Sequence, residues 1–107
     1  MKYLLVINTD HTETVWNALR FGAASLSRGN EVSIFLLGPA VDIDSIGDEH
    51  LDVQKLLLRF DELGGVALSC GTCLWLRKMD ANAVCPMSSM DDLARLTEEA
   101  DRVLTFG

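Results

Sequence analysis

The chain lacks the features that would let it bind polyanions. Nine lysines and arginines stand against sixteen aspartates and glutamates, a formal charge of −7, and no basic run occurs. A phosphate backbone would be repelled, so nucleic acid is not expected as a general partner. No apolar run approaches the ~20 residues needed to span a bilayer, and no membrane partner is expected. The first such run, Tyr3 to Ile7, is too short for the apolar core of a secretion signal, so a cytoplasmic location is expected. Cysteines are few: Cys70, Cys73 and Cys85. An odd, small number without a signal argues against a disulfide scaffold.

Nucleotide and metal motifs are also missing. No G-x-G-x-x-G follows the first apolar run, and there is no Walker loop. The turn Asn8-Thr9-Asp10-His11-Thr12-Glu13 sets Asp10 and Glu13 where a helix start would otherwise attract phosphate. A phospho-receiver domain needs an aspartate at its third strand end, where this chain has Cys70. The acidic stretch with Asp42, Asp44, Gly47 and Glu49 fails as a calcium loop, because Ile46 and Val53 fall at ligand positions five and twelve. It reads instead as a solvated lid. A structural zinc site would need a second cysteine pair, and only Cys85, His11 and His50 remain.

What is present is a chain of one domain's length, residues 1–107, of which 49% is hydrophobic. Apolar runs suited to buried strands fall near residues 2–8, 31–37, 66–70, 82–85 and 102–106. Between the first three lie helix-period segments, Val15-Leu19-Leu26 and Val53-Leu57-Phe60, stopped by Gly29-Asn30 and Gly64-Gly65. Asp10 and Glu13 resemble a capping pair for the first of these helices. A short helix is expected from Leu74 to about Met79. A last helix is expected after Ser88 or Ser89, with Met90, Leu93, Leu96, Thr97 and Ala100 on its buried stripe. Strand and helix alternate throughout, which predicts an α/β fold: a three-layer α/β/α domain around a five-stranded parallel sheet.

In open parallel sheets, ligands meet the carboxyl ends of the strands. Those ends are Asn8–His11, Gly38-Pro39, Cys70 and Cys85. Cys70 is the informative residue. It closes a buried strand just ahead of a helix start, whose N–H groups favour thiolate over thiol. Gly71 is expected to leave its sulfur open, and the Thr72 hydroxyl to donate to it. Cys73 completes a C-x-x-C, which is also compatible with a thiol–disulfide redox pair. Cys85, before Pro86, is a candidate to resolve an oxidised or persulfidated Cys70; a plain buried thiol is the alternative. His11 is either a base near that edge or an exposed loop residue. Trp16 and Trp75 are core or interface aromatics, and the small size together with apolar Leu74, Trp75 and Leu76 predicts a homo-oligomer.

Four segments in order carry a family resemblance: Asn17 to Ala24, Glu31 to Gly38, Gly65 to Leu74 with its Cys70-Gly71-Thr72-Cys73, and Met90 to Phe106. They resemble the DsrE/DsrF-like (DsrEFH-like) proteins of sulfur relay, and the C-G-T-C resembles that of one subgroup. The chain departs from many such proteins after the motif, where Leu74-Trp75-Leu76-Arg77 replaces a basic stretch. The resemblance implies a sulfur carrier of the sulfurtransferase kind, assembled as a homo-oligomer, trimer or hexamer. It implies that Cys70 accepts sulfane sulfur as a persulfide and that Cys73 is the second cysteine of the motif. Sulfur-donating and sulfur-accepting proteins are the implied partners, and no cofactor is needed. A non-catalytic binding subunit is the competing class.

Overall fold

The structure is a computed structural model describing residues 1–107. Five strands, β1 (Lys2–Ile7), β2 (Glu31–Leu36), β3 (Val66–Cys70), β4 (Met87–Ser88) and β5 (Arg102–Phe106), form one sheet. Every pairing is parallel, in the order β4-β3-β2-β1-β5. Four α-helices connect them: α1 (Thr12–Ser27), α2 (Val53–Glu62), α3 (Gly71–Arg77) and α4 (Met90–Glu99). The expected α/β architecture is therefore present.

The strand order explains the layering. From β1 to β4 the chain steps always in one direction, and right-handed crossovers then place α1, α2 and α3 on one face. The connection from β4 returns past β1 to β5, which sends α4 to the other face. The core follows the strands' apolar runs. Leu5, Ile7, Ile34, Phe35 and Leu36 are fully buried, with Leu19, Leu57 and Phe60 of α1 and α2. Gly22 is where these two helices approach: a Cβ there would meet the Phe60 ring at 2.9 Å.

Several local expectations are corrected. The α1 cap is His11, whose Nδ1 accepts from the Thr14 N–H, and not the Asp10–Glu13 pair. The chain leaves β1 through a turn in which the Thr9 hydroxyl accepts from the His11 N–H, so the helix starts later than Asp10 could cap it. The acidic connection is not simply solvated. Gly38–Ser45 is a 3-10 segment kinked at Asp42, with Ala40, Val41 and Ile43 in the core.

The fourth strand is not at 82–85. There the Asn82 side chain accepts from the Val84 N–H and its carbonyl from the Cys85 N–H, closing a turn. Turn chemistry at Asn82 overrides the apolar run that follows it. Pairing begins at Pro86, whose carbonyl accepts from the Ser69 N–H at 2.9 Å, and Ser69↔Met87 and Cys70↔Ser88 are partners. Helix α3 begins at Gly71 instead of Leu74, because Cys70 is its cap, and ends at Lys78 in the left-handed conformation. Ser89 caps α4, its hydroxyl accepting from the Asp92 N–H, but Met90 and Thr97 lie outside that helix's packed stripe. Only Leu93, Leu96 and Ala100 pack against the core.

Candidate functional site

The carboxyl end of β3 is where the fold concentrates its sulfur chemistry. Cys70 is the last residue of β3 and also the cap of α3, with extended backbone (φ −64°, ψ 116°). Because it stands outside the helix, Cys70 and Cys73 are not simply two positions on one helical face. A cap side chain reaches back over the first turn, where the third helical residue lies, and Cys73 is that residue. The Cys70 thiol is near enough to the Cys73 thiol to help push it above its ordinary value. All three cysteines are free thiols.

The donors differ from those expected. The Cys70 side chain accepts no capping bond from α3, and no hydrogen bond joins it to Thr72. The backbone donor that meets a sulfur is Gly38 N–H, which reaches Cys73 Sγ at 3.2 Å from the end of β2. Gly38 was legible only as a strand stop, since a backbone donor leaves no side-chain signature. It holds φ +53°, and a Cβ there would run into the Asn8 side-chain oxygen. Gly71 does not open the sulfur to solvent. A Cβ at Gly71 would meet Met87 Cγ at 3.0 Å and the Ser88 carbonyl at 3.1 Å, so this glycine lets β4 close over the turn.

These contacts shape the thiols. Cys70 is 3% exposed, whereas Cys73 is half-buried. Burial pushes the Cys73 thiol above its ordinary value, and the neighbouring Cys70 adds to the rise. Gly38 N–H and the Arg77 charge pull the other way. Cys85 is fully buried, and burial, with the Asp44 and Asp61 carboxylates, pushes it up to about 12. The Ser69 hydroxyl donates to its carbonyl at 2.8 Å. The sulfur that the structure brings beside Cys70 is thus Cys73; Cys85 makes no hydrogen bond to either.

The remaining candidates have structural surroundings. His11 is committed to capping α1. His50 is exposed, 3.9 Å from Glu49. Asp44 and Asn82 are hydrogen-bonded through their side chains, tying the 3-10 segment to the loop before β4. Trp16 is half-buried under the Arg20 guanidinium at 4.4 Å. Trp75 is 75% exposed, and Leu76, Met79, Met87 and Met90 are exposed with it. No three His, Cys, Asp or Glu side chains converge as a metal site requires. No helix is long and apolar enough to cross a membrane.

Comparisons with known proteins bear on the family and the fold. The DsrE/DsrF-like family model matches residues 1–106. An uncharacterized protein of Methanopyrus kandleri is 32% identical over 100 residues, covering 88% of this chain and 83% of that protein. The crystal structure of the YchN protein from E. coli has the same fold, with a TM-score of 0.83 at 22% identity. That match covers 99% of this chain and all of YchN.

Proposed function

This chain belongs to the DsrE/DsrF-like family, and from that premise we propose that it carries sulfane sulfur as a persulfide on Cys70. The family is generally linked to sulfur relay. The observation that carries the reading is the position of Cys70, at the carboxyl end of an interior parallel strand and beside a second thiol. That end of the sheet is where this architecture binds and reacts.

The transfer needs only thiols. The Cys70 thiolate attacks the outer sulfur of a donor persulfide, a new S–S bond forms on Cys70, and the donor's inner thiolate leaves. Passing the sulfur to an acceptor thiol reverses these roles. No cofactor enters. Partners are sulfur-donating and sulfur-accepting proteins, and the charge of −7 steers encounter toward basic partner surfaces.

The C-G-T-C subgroup, the cytoplasm and a homo-oligomer, trimer or hexamer, complete the proposal. Assembly is supported by exposed Trp75, Leu76, Met79 and Met87 around the site, an apolar cluster that a lone subunit would leave wet. The adjacency of Cys70 and Cys73 also favours a second reading, thiol–disulfide exchange. Intact mass after polysulfide treatment separates the two: added sulfur on Cys70 supports carriage, and a disulfide formed without sulfur ever being added supports exchange.

A further inference from the structure

We infer that Cys73 discharges the Cys70 persulfide within the same chain, releasing the outer sulfur as sulfide and leaving a Cys70–Cys73 disulfide. The inference rests on the carriage reading above and assigns a fate to sulfur that no partner collects. Three observations converge on it. The Cys70 thiol is nearly sealed from solvent, so the nucleophile with immediate access to it is its neighbour. Cys70 is a cap and Cys73 the third helical residue, which sets both side chains at the first turn of α3. Gly38 N–H is aimed at Cys73 Sγ from another strand end, at 3.2 Å, and gives a sulfur anion formed there a fixed donor.

The step balances without an outside reagent. A persulfide is more acidic than a thiol, so Cys70 carries an S–S⁻ group. Cys73 is held above its ordinary value and keeps its proton at neutral pH. That proton passes to the outer sulfur. The Cys73 thiolate, held by Gly38 N–H, attacks the inner sulfur of Cys70. The Cys73–Cys70 bond forms, the bond from Cys70 to the outer sulfur breaks, and HS⁻ leaves with the electron pair. The outer sulfur is reduced to sulfide and the two cysteine sulfurs are left oxidised as the disulfide. A dithiol reductant returns both thiols. Cys85 has no part in this step, being fully buried beside Asp44 and Asp61.

The test follows sulfide and mass together. Full-length wild type, Cys73→Ser and Cys70→Ser are treated with inorganic polysulfide, desalted, and incubated without reductant. The inference expects wild type to release about one equivalent of sulfide and to finish two hydrogens lighter than the reduced chain, with residues 70 and 73 cross-linked. Cys73→Ser should keep its added sulfur and release sulfide only when dithiothreitol is supplied. Cys73→Ala should behave the same way, which separates the lost thiol from any effect of the serine hydroxyl. If wild type holds its persulfide as long as Cys73→Ser does, the inference is overturned and the carriage reading stands. If Cys73→Ser never gains sulfur, both are overturned.

Discussion

The Gly38 N–H points at the Cys73 sulfur from 3.2 Å, linking the end of β2 to the first turn of α3. The two residues are 35 positions apart, and their meeting depends on a backbone conformation that favours glycine, φ +53°. Gly38→Ala should destabilise the protein by about 1–2 kcal/mol, the cost of a left-handed residue with a side chain, and more if Asn8 cannot move aside. Urea titration measures the loss. The same variant should change the alkylation rate of Cys73 more than that of Cys85, because only Cys73 uses this donor.

Cys85 makes stability depend on alkaline pH. Its folded pKa is raised to about 12 from the ordinary 9.0, so the folded state holds the neutral thiol. The associated stability is fully present below 9.0 and is lost as pH rises toward about 12. The unfolded chain gains roughly 1.4 kcal/mol for each pH unit across that window. Thermal melts from pH 8 to pH 11, as a rough working range, should show a steeper fall for wild type than for Cys85→Ala. The alanine variant should start lower by about 1 kcal/mol, from the small cavity it leaves. Equal slopes would show that Cys85 does not titrate as its burial requires.

Much of the fold was readable because parallel strands buried on both faces leave continuous apolar runs. Tyr3–Ile7, Val32–Leu36 and Val66–Cys70 announce themselves in this way. The fourth strand was misplaced because Ala83-Val84-Cys85 is apolar for a different reason: Cys85 fills the core from within a turn set by Asn82. The real β4, Met87–Ser88, has two residues and no periodicity to read. At the site, Cys70 and Cys73 stood out as residue types. The bond from Gly38 to Cys73, and the cover of Met87 over Gly71, join segments apart in sequence and left no local mark.

Asn82 should therefore matter beyond its own loop. Its side chain is bonded both to Asp44 and to the Val84 N–H. Asn82→Ala should cost about 1–2 kcal/mol through the lost turn and tether, and it should free the approach to β4. Hydrogen exchange across residues 83–89 should quicken, and Cys70 should be alkylated faster than in wild type. Unchanged exchange there would show that the tether does not hold β4 in place.

The apolar surface around α3 carries the assembly proposal. Sedimentation at micromolar concentration should find wild type as a homo-oligomer. Trp75→Asp should dissociate it while leaving the far-ultraviolet circular dichroism unchanged, since Trp75 is 75% exposed in the single chain. A monomeric wild type would remove the proposed interface.

The central claim is that Cys70 accepts sulfur, and intact mass spectrometry tests it most directly. The three single Cys→Ser variants are each exposed to polysulfide, desalted and weighed. The account predicts one or more added sulfur atoms on Cys73→Ser, retained until a thiol is supplied, and none on Cys70→Ser. Cys85→Ser should behave as wild type, as befits a thiol sealed in the core. Added sulfur on Cys70→Ser, with none on Cys73→Ser, would contradict the account and move the acceptor to Cys73.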